Sequence, residues 1–224
     1  MSRYDQKLEF ILRNAARIFA EKSYHSTSMR DISRATGVSL AGLYHYCKSK
    51  EEFLFLIQDN CFGRVIESLE ARLAGKVDPE EKLRIFIDNH LAFFAANMSE
   101  MKVLSHEAES LAGDLHLQVS NRKESYTRLA REILAEVQQS VSETYGVIDL
   151  TVATYALFGM MNWIYNWYNP NGKLAVADLV DNVTRLYLNG FVNGAHEGSL
   201  KWAGTVRAEG PSVWRETDDK NASA

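Results

Sequence analysis

TSMRDISRATGVSLAGLYHYCKSK, residues 27–50, is the stretch that decides the fold of this chain. It predicts a short helix around Asp31, a tight turn at Gly37, and a second short helix that begins after Ser39 and ends near Tyr46. Two short helices joined by a glycine-containing turn are typical of a DNA-binding helix-turn-helix. The plainer alternative is a helical hairpin without DNA binding, but the turn, the caps and the basic flanks together favour the first interpretation.

The exposed face of the second predicted helix suits a DNA groove. Its small residues can approach base edges closely, and its far end carries groups that reach phosphates and thymine methyls. Leu, Ala and Gly form few hydrogen bonds, so we expect apolar contacts, Arg30 of the first helix and DNA shape to read the sequence. The residues predicted on this face are Leu40, Ala41, Gly42, Tyr44 and His45.

Charge is distributed unevenly along the chain. Residues 1–50 contain nine Lys or Arg and four acidic residues, a formal charge of +5, whereas the whole chain of 224 residues has −4. The rest of the chain therefore carries −9. A basic end on an acidic body is expected when one end faces a polyanion, so the low overall pI of 5.9 does not argue against DNA binding.

The remaining sequence predicts helices and no strands. Apolar residues from Leu8 to Ala20 recur at helical spacing, and Ser28, Ser49 and Asp78 are placed to start helices. Further predicted helices run from Ser99 to Ala112, from Asp114 to Tyr145, from Asp149 to the stop at Pro170, and from Val176 to His196. The predicted fold is all-α, with about nine helices.

The sequence contains no signal peptide or confident membrane span. Its longest apolar-rich stretch, residues 152–168, is interrupted by Asn162 and Asn166 and is too short and too aromatic to span a bilayer. Cys47 and Cys61 lack a CxxC spacing, which favours reduced, buried thiols. We expect a cytoplasmic, nucleoid-associated protein that does not bind membranes.

Motifs of catalysis or of cofactor binding do not occur. HExxH, GxSxG, Walker and dinucleotide-binding patterns are all missing from the sequence, and its six histidines are scattered. We therefore predict no enzyme activity, no cofactor and no metal site. A metal-sensing regulator that uses His90, His106 and His116 is the alternative, although these residues lack the compact spacing of a metal site.

The last two predicted helices indicate a dimer. Residues 152–168 are apolar on nearly every face, so this helix must be buried on two sides, and the final helix has small residues that permit close packing. Two such helices from each subunit predict a four-helix interface with two-fold symmetry, whereas the alternative is the core helix of a monomer. The predicted interface residues are Ala156, Gly159, Leu186, Gly190 and Phe191.

The N-terminal motifs resemble those of the TetR family of bacterial transcription regulators. An amphipathic helix is followed by T-S-M-R-D-I, by G-V-S-L-A-G-L-Y-H-Y and by K-S-K-E-E-F, over about residues 8–56. The resemblance implies a three-helix head, a long fourth helix, an effector-binding body and subunits that pair through their last two helices on a palindromic operator of double-stranded DNA. A departure is Cys47, where phenylalanine is usual.

The resemblance also assigns roles by position. It implies that Leu40, Ala41 and Gly42 face the bases, and we add Arg30 and Ser39 to the predicted DNA-binding set. The residues implied to contact the DNA backbone are Thr27, Ser28, Tyr44, His45 and Lys50. We accordingly divide the chain into a helix-turn-helix domain at 1–48, an effector-binding and dimerisation domain at 49–196, and a tail at 197–224 whose composition is compatible with disorder.

Three motifs of the body resemble the branch of this family that controls fatty-acid or steroid catabolism and senses acyl-CoA thioesters. They are HEAESLAGD at 106–114, FGMMNWIYNWYNPNG at 158–172 and DLVDNVTRLYLNGF at 178–191. An acyl-CoA needs an apolar slot for its chain, which Met and aromatic residues suit, and cations for its phosphates. The predicted ligand-binding residues are Phe94, Met98, Met101, His106, Arg122, Tyr126, Met160, Trp163, Asn166 and Trp167.

Plainer interpretations of these ligand residues stay open. Met and aromatic residues at helical spacing also form ordinary cores, and Arg128 stands four residues from Glu124 and from Glu132, as on a solvated face. The favoured prediction is a dimeric, sequence-specific repressor that a small apolar effector, in the first place an acyl-CoA thioester, releases from its operator. The alternatives are the same fold sensing a lipophilic drug, and a DNA-organising protein without a small ligand.

Overall fold

A computed structural model describes residues 2–141 and 148–193, which form nine α-helices and one short 3₁₀ helix and contain no strand. The predicted all-α fold is confirmed. The helices are α1 (Arg3–Lys22), α2 (Met29–Thr36), α3 (Leu40–Tyr46), α4 (Lys50–Leu73), α5 (Pro79–Ala96), α6 (Met98–His106), α7 (Gly113–Val141), α8 (Leu150–Asn162) and α9 (Val176–Asn193), and the 3₁₀ helix (Trp163–Asn166) follows α8.

Side-chain caps start the N-terminal helices where they are predicted. The Ser28 hydroxyl accepts a hydrogen bond from the Asp31 N–H, while the Asp31 carboxylate accepts one from the Ser28 N–H. Ser39 and Ser49 each accept a hydrogen bond from the N–H three residues on, at 3.1 and 3.0 Å. Gly37 ends α2 with φ at +65°, a left-handed conformation that residues with a side chain rarely adopt.

Two predicted helix boundaries are wrong. Helix α6 begins at Met98, without a side-chain cap at Asn97, and it ends at His106 instead of reaching Ala112, since residues 107–112 turn towards the head. Helix α8 ends at Asn162, where the chain tightens into the 3₁₀ helix that places Ile164 in the core. The predicted helix ends at Tyr145 and His196, and the tail at 197–224, lie outside the described residues.

The apolar residues form two clusters that meet at α4. The head cluster contains Ile11, Ile32 and Leu43 and extends to Phe53 of α4, while the body cluster is built from α4, α5, α7, α8 and α9. Three residues of the body, Val103, Leu111 and Val119, also pack in the head cluster. Head and body therefore share apolar contacts, and the domain division at residue 48 stays a prediction.

Candidate functional site

Helices α2 and α3 present a polar surface of small and aromatic residues. Ile32 and Leu43, both completely buried, hold the two helices together. Leu40 and Gly42 are half-buried at the edge of this surface. Six residues of the predicted DNA-binding set are exposed, namely Ser28, Arg30, Ser39, Ala41, Tyr44 and His45.

Two residues predicted to contact the DNA backbone are engaged inside the protein. Thr27 is only 2% exposed, and its hydroxyl donates a hydrogen bond to the Ser23 carbonyl at 2.8 Å. The Thr27 hydroxyl therefore faces the protein, and a contact of Thr27 with the DNA backbone stays a prediction. The Lys50 ammonium donates to the Tyr24 carbonyl at 2.9 Å and lies 4.2 Å from the centre of the Tyr24 ring. Lys50 thus ties the start of α4 to the loop between α1 and α2.

Tyr4 of α1 contributes to this surface, and the sequence reasoning missed it. Its ring stacks on Tyr46 with 4.9 Å between centroids and meets the edge of His45 at 6.2 Å. The first turn of α1 thereby orients the end of α3. In the sequence, Tyr4 is marked only as an aromatic residue outside the apolar stripe of α1. This position does not predict which distant residue its ring contacts.

A cavity of about 620 Å³ lies in the body, within the usual size range of small-molecule sites. Its apolar wall contains Phe62, Phe94, Met101, Leu104 and Phe158. Polar side chains of α7 form another part of the lining, and the exposed residues His116 and Lys123 among them lie where it meets solvent. The cavity thus combines an aromatic interior with a polar rim, where Lys123 and His116 are accompanied by the exposed carboxylate of Glu109.

One part of the cavity wall carries a neutral polar network centred on His90, which is 2% exposed. Its Nδ1 lies 3.1 Å from the Tyr126 hydroxyl, and its Nε2 lies 3.1 Å from Oδ1 of Asn162. Burial lowers the pKa of His90 to about 3 and raises the pKa of Tyr126 above its usual value. In the neutral ring, Tyr126 donates to Nδ1 and Nε2–H donates to Asn162, so the wall is polar without being charged.

Four of the ten predicted ligand-binding residues line this cavity, and they are Phe94, Met101, Tyr126 and Trp163. The other six do not line it. The His106 ring instead contacts Tyr165 at 5.3 Å between centroids, Asn166 is exposed on the 3₁₀ helix, and Met98 is half-buried at the start of α6. Met160 and Trp167 line a separate groove.

The cation that lines the cavity is Lys123, the neighbour of the predicted Arg122. Arg122 donates from Nε to the Asp59 carboxylate at 2.9 Å and lies outside the cavity, whereas Lys123 lines it. The residues of α7 that line the cavity recur at three- and four-residue spacing as His116, Val119, Ser120, Lys123, Tyr126 and Thr127. Arg122 is off this stripe because successive helix residues differ by about 100° in direction.

A second apolar surface covers parts of α8 and α9. Trp163 is 61% and Leu186 is 68% exposed, and both line a groove of about 640 Å³ that Gly159, Met160 and Trp167 complete on the α8 side. Exposed apolar patches of this kind mark interaction surfaces. The predicted interface residues Ala156, Gly159, Leu186 and Gly190 are all exposed on these two helices, and the side chain of Phe191 lies outside the described residues.

Two family models match this architecture. "Bacterial regulatory proteins, tetR family" matches residues 11–57, and "Tetracyclin repressor-like, C-terminal domain" matches residues 76–191, more than half of the chain. The chain belongs to the TetR family. It is a DNA-binding transcriptional repressor of this family, and its relatives are regulators, not enzymes.

Relatives of this TetR protein include a fatty acid metabolism regulator and the repressor KstR2. The fatty acid metabolism regulator protein of Bacillus subtilis (strain 168) is 26% identical over 184 residues, 82% of this chain and 94% of the relative. The repressor KstR2 of Mycobacterium tuberculosis (strain ATCC 25618 / H37Rv) is 26% identical over 188 residues, 81% of this chain and 90% of the relative. The predicted resemblance to the acyl-CoA-sensing branch is confirmed.

Solved structures with the same fold support this grouping. The structure of AibR in complex with isovaleryl coenzyme A and operator DNA has a TM-score of 0.71 and 28% identity, over 80% of this chain and 97% of AibR. The fatty acid degradation regulator FadR of Bacillus halodurans has a TM-score of 0.68 and 26% identity, over 82% and 95% of the two chains.

Among the residues that the structure describes, no helix is long and apolar enough to cross a bilayer. Within the same ranges, no three His, Cys, Asp or Glu side chains are grouped in a way that could hold a metal ion.

Proposed function

We propose that this protein is a homodimeric repressor that an acyl-CoA thioester releases from a palindromic operator. The observation that carries the proposal is the cavity of about 620 Å³, in which an aromatic wall adjoins both a neutral polar network and the exposed Lys123. An acyl-CoA has the same three parts, namely an apolar chain, a thioester carbonyl and phosphates. Similarity to AibR, which was solved with isovaleryl coenzyme A and operator DNA, supports the same ligand class.

Each part of the cavity has a role in this proposal. The aromatic wall removes the acyl chain from water, and the Asn162 amide donates a hydrogen bond to the thioester carbonyl. Lys123 pairs with a phosphate of CoA at the cavity rim. Tyr126 lies one helical turn from Lys123 and is buried, so α7 runs from the charged rim to the interior.

The dimer is proposed to form through the groove face of α8 and α9. A second copy would cover Trp163 and Leu186, which in a single chain expose large apolar side chains to water. Gly159 and Trp163 line both this groove and the cavity, so effector and interface are adjacent. Two heads held by such a dimer would bind half-sites about one turn of DNA apart.

Release requires that the effector prefer one arrangement of the two heads. A hundredfold weakening of operator binding corresponds to a difference of about 2.7 kcal/mol in effector binding between the two arrangements, within the usual range of allosteric coupling. In the head, the exposed residues of α2 and α3, which include Arg30 and Tyr44, are proposed to face the DNA. The cytoplasmic, nucleoid-associated location belongs to this proposal.

The test uses an operator selected from random duplexes and a panel of CoA thioesters that includes branched short-chain, long-chain and polycyclic acyl groups. We expect at least one thioester to change tryptophan fluorescence and to release the operator at micromolar concentration, whereas free CoA does neither. If no member of the panel binds or releases DNA, the acyl-CoA assignment is wrong, and drug sensing or ligand-free DNA organisation replaces it.

Two neighbouring variants separate the cation assignments. Lys123→Ala should weaken the binding of CoA thioesters much more than that of the matching free fatty acid, because only the thioester has phosphates. Arg122→Ala is the matched control, since this guanidinium pairs with Asp59 outside the cavity. Equal losses for both ligands in Lys123→Ala would remove Lys123 from phosphate binding and would favour a lipophilic effector without CoA.

A further inference from the structure

The turn between α6 and α7, residues 107–112, contacts the head through a buried carboxylate. Glu107 is 6% exposed, and its Oε1 accepts a hydrogen bond from the backbone N–H of Tyr24 at 3.0 Å, in the loop between α1 and α2. Its Oε2 accepts a second hydrogen bond from the Ser110 hydroxyl at 2.7 Å. A body carboxylate therefore binds the main chain of the head.

Further bonds hold the same turn on both sides. The Ser110 hydroxyl lies 3.3 Å from Nε2 of His25, in the head. The buried amide of Gln58, on α4, donates to the Glu107 carbonyl at 3.1 Å. Both backbone groups of Tyr24 are hydrogen-bonded, since its N–H donates to Glu107 and its carbonyl accepts from Lys50. We call residues 107–112 together with these contacts the clasp.

The opposite side of the clasp borders the effector cavity. Ser105, Ala108 and Glu109 line the cavity. Glu107 directly precedes Ala108 in the chain and follows Ser105 by two residues. A ligand that fills the cavity would contact Ala108, and the adjacent residue Glu107 binds the Tyr24 N–H. The cavity wall and the head contact are therefore neighbours in the chain.

We propose that Glu107 is a positioning residue that couples occupancy of the cavity to the orientation of the head. Hydrogen bonds between a carboxylate and a backbone N–H are short and strong, and a buried carboxylate that loses its donors is costly. The turn therefore cannot shift on its cavity side without either moving Tyr24 or breaking this bond. The proposal rests on the proposed function for the identity of the effector, but the clasp itself is a feature of the head–body contact.

The exposed Glu9–Arg64 pair supplies a matched control. It also joins head to body, from α1 to α4, with 3.2 Å between Glu9 Oε1 and an Arg64 guanidinium nitrogen. Both of these residues line a different cavity, of about 440 Å³, and neither lines the effector cavity. Breaking this pair removes another head–body contact made by a glutamate carboxylate, in this case a side-chain ion pair, without touching the clasp.

The first experiment measures coupling, defined as the operator Kd with saturating effector divided by the operator Kd without it. We expect Glu107→Ala to reduce this ratio at least about fivefold, because couplings of this kind span about 5- to 150-fold. Glu107→Gln keeps one acceptor, its amide oxygen, for the Tyr24 N–H, and its NH2 group can donate to the Ser110 hydroxyl oxygen, so this variant should retain most of the coupling. Glu9→Ala, the matched truncation, should leave the ratio within about twofold. Equal losses in Glu9→Ala and Glu107→Ala would overturn the proposal.

The second experiment uses unaltered protein, so it stands even if Glu107→Ala does not fold. Hydrogen exchange is followed in peptides that cover residues 107–112 and 20–28, in the free protein, with operator DNA and with effector. Operator binding to the head should change exchange in 107–112, and effector binding should change exchange at the Tyr24 amide, at least about twofold in each case, since coupling is reciprocal.

The outcomes distinguish the clasp from the proposed effector. If acyl-CoA releases the operator while neither ligand changes exchange across the clasp, the clasp is overturned and the repressor mechanism stands. If no acyl-CoA acts but operator DNA still changes exchange in residues 107–112, the effector assignment fails and the clasp stands.

Discussion

The helix-turn-helix of the head and the cavity of the body depend on contacts of very different range. In the head, Ser28 and Ser39 bind N–H groups only three residues away. In the cavity wall, His90 binds Tyr126 and Asn162, which are 36 and 72 residues away. The comparison teaches that the recognition unit is specified by local backbone chemistry, whereas the polar wall of the cavity exists only once α5, α7 and α8 have packed.

The two regions also differ in how burial is used. The head buries mainly apolar side chains, with Thr27 and Thr36 as buried polar residues, and exposes polar side chains on α2 and α3, as a surface for a charged partner requires. The body buries polar groups as well, and the network of His90 places uncharged donors and acceptors at a cavity wall. These differences lead to predictions that affect one region more than the other.

The largest expected effect is a loss of folding stability when a core leucine of either region is truncated. Leu43 in the head and Leu157 in the body are both completely buried, so Leu→Ala at either site should reduce the free energy of unfolding by about 2–5 kcal/mol. Leu43→Ala should also abolish operator binding at temperatures where the body remains folded, while Leu157→Ala keeps it. Urea denaturation and operator titration provide the measurements. Equal loss of DNA binding in both variants would show that the head does not act as a separate unit.

The next effect concerns the groove face of the body. Leu186→Asp should raise the dimer dissociation constant more than a hundredfold, about 3 kcal/mol, because it buries a charge without a partner. Operator affinity should fall with it. Val77→Asp, at a position 86% exposed in the loop after α4, is the control and should leave the dimer intact. An unaltered sedimentation profile for Leu186→Asp would exclude the groove as the interface.

The third prediction concerns the pH dependence of the free energy of unfolding, which His90 in the body should affect in a different pH range from Asp31 in the head. The unfolded chain binds a proton at His90 near the ordinary pKa of 6.5, but the folded protein does so only near 3. Stability from this group is therefore complete above about pH 6.5 and falls as pH decreases, by about 1.4 kcal/mol per pH unit between about pH 6 and 4.

The pH test compares two variants by urea unfolding at pH 4, 5, 6 and 7. His90→Gln should remove this slope, because glutamine does not titrate. Asp31 in the head has a pKa lowered to about 2, chiefly by its hydrogen bonds with Ser28, so its stabilising contribution is constant above about pH 4 and is lost below that pH. Asp31→Asn should therefore leave the slope of stability between pH 4 and 7 unchanged. An unchanged slope in His90→Gln would mean that other groups cause the acid sensitivity.

The smallest expected effect is on stability, where the same substitution, Gly→Ala, should act in opposite directions at Gly37 and at Gly63. Gly37→Ala should destabilise the protein by about 1 kcal/mol, because the turn holds this residue at φ +65°. Gly63→Ala, within α4, should stabilise it by about 0.5–1 kcal/mol, since an added Cβ meets no atom within 4 Å and alanine favours a helix. Thermal unfolding would compare the two, and a shift of the same sign in both would contradict the assignment of the turn.

Much of the fold follows from sequence because its signals act over one helical turn. Ser28, Ser39 and Ser49 are caps whose partners lie three residues away, and Gly37 marks the turn by its own conformational freedom. The apolar character of residues 152–168 predicted a helix that must be buried on two sides, and within this range Trp163 and Trp167 remain exposed in the single chain. These features need no knowledge of distant residues.

The site in the body was predicted only in part, since periodicity gives the face of a helix but not what that face meets. Arg122 and Lys123 look equivalent in sequence, and only the packing of α7 against α4, α5 and α8 turns Lys123 to the cavity and Arg122 to Asp59. The network of His90 and the bond from Glu107 to Tyr24 join residues far apart in the chain. By itself the sequence determined the helices, the turn and the charge of the head, because those depend on neighbours within a few residues. The cavity, its polar wall and the clasp were decided by the tertiary structure, because they depend on how rotated helices meet.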